Sequence, residues 1–296
     1  MSKRRCSHEK TFDLSGKGGT GKTTLASSLI KLSKTKAYAD CDVDAPNLHL
    51  IMTEETEPIN SDYYGLPAAY IEPKKCTSCD LCRQNCRFNA IDIIDAIYTV
   101  NEFACEGCKV CQLVCPAEAI TMLDRVTGKL SLYKNEHVFS TAELKMGTGN
   151  SGLLVTEVKK NLYMNAKDTE LAIIDGSPGI GCPVIASISG IDLVILVAEP
   201  TISGFSDMER IIETSKGFPA QLAVCVNKYD LHTEHTEKIK QYCQDNNIAF
   251  IGTIPFDADA PRLVNQGKTL IDKEGPAKKA IESIYEKSLD ILDKMN

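Results

Sequence analysis

The sequence lacks the features of a membrane-spanning or secreted protein. Residues 1–10 are polar and basic with no apolar run, so we do not expect a secretory signal. No stretch of the 296 residues approaches the apolar length needed to cross a bilayer. An excess of positive charge is also missing, since the formal net charge is -7, which argues against nucleic acid or anionic membrane as a partner. We therefore expect a cytoplasmic protein.

What is present is typical of a soluble globular protein. With 43% hydrophobic and 25% charged residues, a chain of 296 residues can form one large domain, or one domain with an insert. Thirteen cysteines without a secretory signal argue against a disulfide-bonded scaffold. They favour metal ligation in a reducing compartment.

A phosphate-binding loop lies near the N-terminus. The pattern G-x-x-x-x-G-K-[ST], with an extra lysine after the first glycine, is formed by Gly16, Lys17, Gly18, Gly19, Thr20, Gly21, Lys22, Thr23 and Thr24. A short alternating apolar run precedes it and a helical pattern at 23–33 follows, the context in which backbone N–H groups and a helix dipole bind phosphate. We expect Lys22 to meet the β- and γ-phosphates and the Thr23 hydroxyl to ligate Mg²⁺.

Strands and helices alternate along most of the chain, which predicts an α/β fold with a mostly parallel, doubly wound sheet. Strands are predicted around residues 12–14 and at 37–39, 68–71, 130–133, 138–139, 171–174, 193–197, 222–226 and 248–251. Further helices are predicted from 151 and at 206–215, 234–245 and 276–294. The last helix mixes lysines and acidic residues on its polar face, which favours packing on the sheet over a membrane anchor.

Eight of the cysteines form two runs with the spacing C-x-x-C-x-x-C-x-x-x-C. Bacterial ferredoxins with two [4Fe-4S] clusters use this run, and the fourth cysteine of each run ligates the other cluster. That rule assigns Cys76, Cys79, Cys82 and Cys115 to one cluster, and Cys105, Cys108, Cys111 and Cys86 to the other. Zinc, the alternative, needs four ligands in two pairs and would leave cysteines unused. We predict a small α+β, bacterial-ferredoxin-like domain at 72–125, inserted into a phosphate-loop domain at 1–71 and 126–296.

The phosphate loop with its extra lysine resembles the deviant Walker A loop of the MinD/ParA/Mrp class of ATPases, which includes the nitrogenase iron protein. In that class the first lysine reaches across a dimer interface to the partner's nucleotide. The resemblance implies an ATP-dependent homodimer in which Lys17 offsets charge on the transferred phosphoryl group. An exposed loop lysine is the alternative. Asp13 departs from the class, whose first strand is usually wholly apolar.

Two further segments are similar to this class. Asp40 and Asp42 follow the second predicted strand, and Asp175 ends the strand predicted at 171–174. By resemblance, Asp42 orients the attacking water, Asp40 lies near the Mg²⁺ shell, and the loop after Asp175 senses the γ-phosphate. Lys17, Lys22 and Asp42 are therefore the expected catalytic residues. The alternative for an isolated carboxylate at a strand end is a helix cap.

The segment 227–230, Asn-Lys-Tyr-Asp, matches the guanine-binding pattern N-K-x-D of GTPases. The class that carries a lysine at the position of Lys17 is mostly ATP-using, with an asparagine here contacting adenine and a later loop completing the base pocket. We therefore predict ATP, with Asn227, Pro255 and Asp257 as the base-contacting residues.

The remaining cysteines, Cys6, Cys41, Cys182, Cys225 and Cys243, form no C-x-x-C pair. Cys41 and Cys182 lie in the two expected nucleotide-sensing loops and are either packed thiols or redox-sensitive or metal-ligating groups. The cysteines that bridge a cluster between subunits of the nitrogenase iron protein have no convincing counterpart, nor has the C-terminal C-x-x-C of Mrp-type carriers.

The whole chain resembles the MinD-superfamily ATPases that contain an inserted ferredoxin domain. That resemblance implies ATP, Mg²⁺ and two [4Fe-4S] clusters as cofactors. It also implies ATP hydrolysis that gates electron transfer to an acceptor protein. Two alternatives stay open: an ATP-dependent factor that assembles or carries an iron-sulfur or other metal cluster, and a nucleotide-dependent partner-binding switch without redox turnover.

Overall fold

The computed structural model describes residues 10–52, 56–166 and 169–294. Cys6 lies outside the described residues. The chain divides into two compact units, each described here by itself. The larger unit takes its residues from 1–60, 130–143 and 151–296, and the smaller unit is formed by 61–129 and 144–150.

The described residues contain the nine predicted strands and four that were not predicted, β3, β5, β6 and β7 of the following list. They are β1 (Lys10–Gly16), β2 (Ala37–Asp40), β3 (Ile59–Tyr64), β4 (Ala68–Ile71), β5 (Ile91–Ile94), β6 (Ile97–Val100), β7 (Ile120–Leu123), β8 (Val126–Lys134), β9 (Val138–Leu144), β10 (Leu171–Pro178), β11 (Leu193–Ala198), β12 (Gln221–Asn227) and β13 (Ala249–Ile254). Each predicted strand is present, most of them longer than the apolar run that indicated it.

The helices occupy the intervals between strands. They are α1 (Lys22–Ser33), α2 (Leu48–Ile51), α3 (Leu81–Gln84), α4 (Val110–Leu113), α5 (Ser151–Asn165), α6 (Cys182–Ile188), α7 (Ile202–Ser215), α8 (Thr233–Asp245), α9 (Ala260–Asn265) and α10 (Pro276–Asp293), with 3₁₀ turns at Tyr229–Leu231 and Leu270–Asp272. The sequence did not predict α2, α6 and α9, because elements this short show no helical period. Helix α7 begins before the predicted residue 206, since the Thr201 side chain accepts the Gly204 N–H at 3.0 Å and caps it.

The main sheet is mostly parallel, as predicted. Its strand order is β13-β12-β11-β1-β10-β2-β9-β8-β3. The pairs β1–β10, β1–β11, β10–β2, β11–β12, β12–β13 and β2–β9 are all parallel. Parallel strands bring their carboxyl ends to one edge of a sheet, where ligands of open α/β folds bind.

Helix α1 packs on β1, and α10 packs on β13 and also contacts β11 and β12. Phe12 and Leu14 belong to one core cluster with Leu29 of α1 and Ile281 of α10. Because side chains alternate along a strand, Asp13 points to the opposite face, on which α6 packs. The C-terminal helix therefore packs on the sheet, as predicted. No helix within the described ranges is both long and apolar enough to span a bilayer.

The smaller unit contains two antiparallel strand pairs, β4 with β7 and β5 with β6, around a small core that includes six of the cysteines of the two runs. The sequence placed the insert at 72–125, whereas this unit begins earlier because β4 pairs with β7 along its whole length. Residues 144–150 also belong to it. The spacing of the cysteines gives no indication that residues 144–150 belong to this unit.

The backbone of the smaller unit repeats itself at the offset between the two cysteine runs. Ser78, Asp80 and Asn89 have φ values of 54°, 63° and 49°. Their counterparts Gly107, Lys109 and Glu118 have φ values of 63°, 65° and 48°. A left-handed φ is uncommon for a residue other than glycine. The matching positions show that the two runs adopt the same local turns.

Asp13 lies at the centre of the main sheet and is fully buried, opposite Ile174 of β10 and Val194 of β11. Apart from the Ser187 hydroxyl, which lies beside the carboxylate, neither of its oxygens has a hydrogen-bond partner among the residues the structure describes. Burial raises the pKa of Asp13 to about 7, an effect that Lys159 and Lys22 oppose. The first strand thus carries a buried ionisable group within the main sheet.

This burial gives a testable pH dependence. The pKa of Asp13 is higher in the folded than in the unfolded chain, so its contribution to the free energy of unfolding is fully present below the ordinary value of 3.8 and is lost as pH rises to about 7. In Asp13→Asn this pH-dependent fall in the free energy of unfolding is absent. We expect the Asn variant to gain stability relative to the native protein across that interval and to keep a constant advantage above it, as measured by urea unfolding at each pH.

Asp40 and Asp175 are present in both proteins, so the difference between the two curves reports the loss of the Asp13 carboxyl. Parallel curves for the native protein and Asp13→Asn would contradict the expectation.

Candidate functional site

The predicted phosphate loop connects β1 to α1 at the carboxyl edge of the main sheet. Gly21 closes the loop with a φ of 91°, and a Cβ atom added there would lie 2.4 Å from Nδ2 of Asn227. That Nδ2 donates to the Thr20 carbonyl at 2.8 Å. Glycine is therefore required at Gly21 both by the backbone and by the approach of β12. This contact also fixes Asn227 against the loop.

Lys22 is folded into the curl of the loop. Its Nζ donates to the carbonyl of Lys17 at 3.3 Å, and the Thr20 hydroxyl donates to the same carbonyl at 3.0 Å. Only 7% of Lys22 is exposed. As the first residue of α1, it stands with its charge at the positive end of a twelve-residue helix, which has no acidic residue in its first turn. The arrangement suits an anion, because helix dipole and ammonium act together.

Lys17, the extra lysine, turns away from this curl. Its Nζ donates to Oγ of Ser203 at 2.9 Å and lies 3.7 Å from Oδ2 of Asp207, both in α7. The side chain remains about two-fifths exposed, at 43%. The sequence missed Ser203 and Asp207 as partners of Lys17, and no spacing or motif relates them.

Asp40 organises the loop that follows β2. Its Oδ1 accepts the N–H of Asp42 at 3.0 Å, and its Oδ2 accepts the N–H groups of Asn47 and Leu48 at 2.9 Å each. Burial raises the pKa of Asp40 to about 6 against these stabilising hydrogen bonds. Asp40 therefore shapes the loop, and its oxygens are occupied by backbone donors.

Asp175 is fully buried at the end of β10, beside the Thr23 hydroxyl and the Lys22 ammonium. Its carboxylate oxygens have no hydrogen-bond partner within the described part of the chain. Burial raises the pKa of Asp175 well above its usual range, and the charge of Asp40 adds to the effect. The pKa of Asp42 is also raised by partial burial, with Lys22 opposing. Asp42 and Asp175 thus face the Lys22 ammonium, and Asp175 also faces the Thr23 hydroxyl; carboxylate and hydroxyl oxygens of this kind suit Mg²⁺ with phosphate.

The segment after Asp175 is tied to both neighbouring loops. The Cys41 N–H donates to the Asp175 carbonyl at 2.8 Å, and the Ser177 hydroxyl donates to the Cys41 carbonyl. Gly179 N–H reaches the Gly16 carbonyl at 3.4 Å. Three hydrogen bonds thus connect the loops after β1, β2 and β10.

The residues predicted to contact the base lie around the ends of β12 and β13. Oδ1 of Asp230 accepts the N–H of Phe256 at 2.8 Å. The Asp257 carboxylate lies 3.2 Å from Nζ of Lys273, which also pairs with Asp259 at 2.7 Å. Asp257 is thus engaged with a lysine, and Pro255 lies between it and the end of β13. Lys228 pairs with Glu199, a contact that the sequence did not predict.

The eight cysteines of the two runs line two cavities of the smaller unit. One cavity of the smaller unit is lined by Cys76, Cys79, Cys82 and Cys115, together with Ile71, Tyr98 and Ile120 among others. A second cavity is lined by Cys86, Cys105, Cys108 and Cys111, together with Phe88, Val110 and Met122 among others. Each cavity takes three cysteines from one run and the fourth from the other. These are the two sets that the spacing predicts.

These eight thiols are free rather than cross-linked. The fourth cysteine of each run accepts a backbone N–H: Ala90 N–H to Cys86 Sγ and Ala119 N–H to Cys115 Sγ, both at 3.3 Å. No group of three or more His, Cys, Asp or Glu side chains is arranged to hold a single metal ion in the described ranges.

The other described cysteines differ in exposure. Cys41 is fully buried, and burial raises its pKa well above the ordinary value. Burial likewise raises the pKa of Cys225 to about 12 and that of Cys243 to about 11. Such thiols are poor nucleophiles. Cys182 is exposed at the start of α6.

Comparison with known proteins places the nucleotide site in a family. The model of the CobQ/CobB/MinD/ParA nucleotide-binding domain matches residues 14–271. An uncharacterized protein of Methanocaldococcus jannaschii is 33% identical over 94% of this chain and 96% of its own length. An uncharacterized ATP-binding protein of the same organism is 29% identical, over 92% of this chain and 84% of its own.

A solved structure has the same fold. The cell division ATPase MinD of Pyrococcus furiosus is superposable with a TM-score of 0.56 at 18% identity, covering 96% of this chain and 99% of that one. The family match spans most of the chain, from within β1 to the 3₁₀ turn before α10. The chain therefore belongs to the CobQ/CobB/MinD/ParA nucleotide-binding family, and it is an ATPase.

Proposed function

We propose that this ATPase couples its nucleotide cycle to electron transfer through two [4Fe-4S] clusters held by the smaller unit. The observation that carries the proposal is the pair of cavities, each lined by four free cysteines drawn from both runs. When bound, each cluster would supply a one-electron carrier. We place the activity in the cytoplasm, where reducing conditions keep thiols available as ligands.

The cavities suit a cluster better than zinc. Zinc requires four ligands about 2.3 Å from one ion in a tetrahedron. A cubane presents four irons at separate corners, so its thiolates stand farther apart. The backbone N–H groups of Ala90 and Ala119 would stabilise the thiolates of Cys86 and Cys115.

The nucleotide site would hold ATP with Mg²⁺. Thr23 would ligate the ion, and the buried carboxylate of Asp175 would accept from its water shell, which satisfies oxygens that otherwise lack a partner among the described residues. Asp42 would orient the water that attacks the γ-phosphorus. Lys22 would offset the charge that develops as the bond to the ADP oxygen breaks.

Lys17 would complete the site only in a homodimer. It is held by Ser203 and Asp207 of its own α7, so it must leave both before it reaches a partner's nucleotide. Closure of the dimer would rearrange the loops after Asp40 and Asp175, which are joined by hydrogen bonds. We propose that this rearrangement changes the access of the clusters to an acceptor protein.

The base is predicted to be adenine. Asp230, which would have to accept hydrogen bonds from guanine, has one oxygen committed to the N–H of Phe256. We expect ATP to bind at least about tenfold more tightly than GTP, a difference of one good hydrogen bond. Calorimetric titration of the Mg²⁺ complexes measures it. In Asp230→Asn the affinity for GTP should be as low as in the native protein. Asp245→Asn, a surface substitution, is the control and should also leave it unchanged. Tighter binding of GTP would overturn the choice.

The pairing of cysteines predicts an unusual pattern of iron loss. Cys82→Ser with Cys115→Ser alters one cavity only and should leave about four of eight irons per chain. Cys82→Ser with Cys86→Ser alters both cavities, although both residues belong to one run, and should leave almost none. Iron analysis and electron paramagnetic resonance after anaerobic purification measure this. Cys243→Ser, outside the smaller unit, should keep all the iron. The reverse pattern would show that each run binds its own metal.

The coupling itself is tested by turnover. In the native protein we expect ATP to change the rate at which the reduced clusters lose electrons to an acceptor dye, while iron stays bound through repeated hydrolysis. Lys17→Ala should still bind ATP but should lose hydrolysis and the change in rate together; Lys145→Ala is the matched control. Release of iron to an apo-acceptor during turnover would favour an assembly factor. If ATP leaves the rate of electron loss to the dye unchanged, the proposal that ATP gates electron transfer is overturned.

A further inference from the structure

One lysine binds the loop that is predicted to complete the base pocket. This base loop, residues 255–259, follows β13 and leads into α9. Nζ of Lys273 donates to both carboxylate oxygens of Asp257 at 3.2 Å and to Oδ2 of Asp259 at 2.7 Å. These carboxylates raise the pKa of Lys273, Asp259 more than Asp257, so the lysine is charged at neutral pH. A single ammonium therefore holds two side chains of one loop.

The carboxylate of Asp257 is largely used by contacts within the protein. Its Oδ1 also accepts the N–H of Asp259 at 2.8 Å, and its side chain is 17% exposed. A carboxylate has about four acceptor positions, and these contacts take up about three of them. Asp257 is therefore better placed to shape the base loop than to bind a base with its side chain.

A second contact holds the base loop next to β12. Oδ1 of Asp230 accepts the N–H of Phe256 at 2.8 Å. Asp230 follows β12, and Asn227 at the end of that strand donates to the phosphate loop. The base loop is thus held at two points, by Asp230 and by Lys273.

Lys273 is itself joined to α1, the helix that begins in the phosphate loop. It directly follows the 3₁₀ turn Leu270–Asp272, in which the N–H and the hydroxyl of Thr269 donate to Oδ2 of Asp272 at 2.8 and 3.1 Å. Nζ of Lys31, in the last turn of α1, lies 2.6 Å from Oδ1 of Asp272. The first turn of α1 therefore belongs to the phosphate loop, and its last turn holds the segment that carries Lys273.

We propose that Lys273 is a positioning residue for adenine, which holds the base loop in register with the phosphate loop through Asp272, Lys31 and α1. Lys273 acts through the two carboxylates and not by touching the nucleotide. Partly exposed ion pairs contribute little to stability. Their effect here is to confine the base loop before ATP arrives, which lowers the cost of ordering it on binding. The proposal rests on the predicted role of residues 255–257 in the base pocket.

Calorimetric titration with two ligands, each with Mg²⁺, separates the base from the phosphates. Inorganic triphosphate contacts only the phosphate loop, whereas ATP also contacts the base pocket. We expect Lys273→Met to weaken ATP binding about tenfold and triphosphate binding less than about twofold, with a urea midpoint close to that of the native protein. Lys273→Arg, which keeps the charge and can bind both carboxylates, should recover ATP affinity to within about threefold. Equal weakening of both ligands, or unchanged ATP binding in Lys273→Met, would overturn the proposal.

Three further variants test the route. Lys268→Met removes an exposed lysine of the same segment and should bind both ligands as the native protein does. Lys31→Met breaks the contact between α1 and Asp272 and should weaken ATP but not triphosphate; unchanged ATP binding would overturn the link through α1. Asp257→Asn with Lys273→Met should weaken ATP no further than Lys273→Met alone, because both act through one pair. A further loss would overturn the role of Asp257 as the anchor of the loop.

The native protein tests the predicted base pocket separately. If it binds triphosphate as tightly as ATP, the base pocket and the positioning role of Lys273 are both overturned. If it binds ATP more tightly, and Lys273→Met keeps that preference in full, the positioning role alone is overturned.

Discussion

The nucleotide site depends on one constraint, that the parallel strands of the main sheet end at a common edge. Gly16, Asp40, Asp175 and Asn227 are far apart in the chain and meet because β1, β2, β10 and β12 all run in one direction. The contact between Asn227 and Thr20 depends in turn on a glycine at position 21. A side chain there would separate β12 from the phosphate loop and open the site.

Most of the larger unit could be predicted because its signals are local. The loop Gly16–Thr24 carries its chemistry in consecutive residues, and the buried strands are short apolar runs. The contacts of Lys17 with α7, and of Lys273 with Asp257 and Asp259, could not be predicted. They join residues that the fold alone brings together, and no period or spacing in the sequence relates them.

In the smaller unit, too, local features could be predicted and contacts between distant residues could not. The cysteine sets followed from spacing and one rule of cluster ligation, and the cavities contain those sets. The limits of the unit did not follow, because β4 and residues 144–150 carry no cysteine and join it by pairing and packing. Asp13 was visible as a departure from an apolar strand, but only the structure shows Gly176 beside it.

The repeated turns of the smaller unit match the way its cavities are lined. Each cavity takes three cysteines from one run and one from the other, so neither run can line a cavity alone. The matched left-handed turns at Ser78 and Gly107 and at Asp80 and Lys109 give the two runs the same local backbone path. Loss of either run would therefore remove cysteines from both cavities.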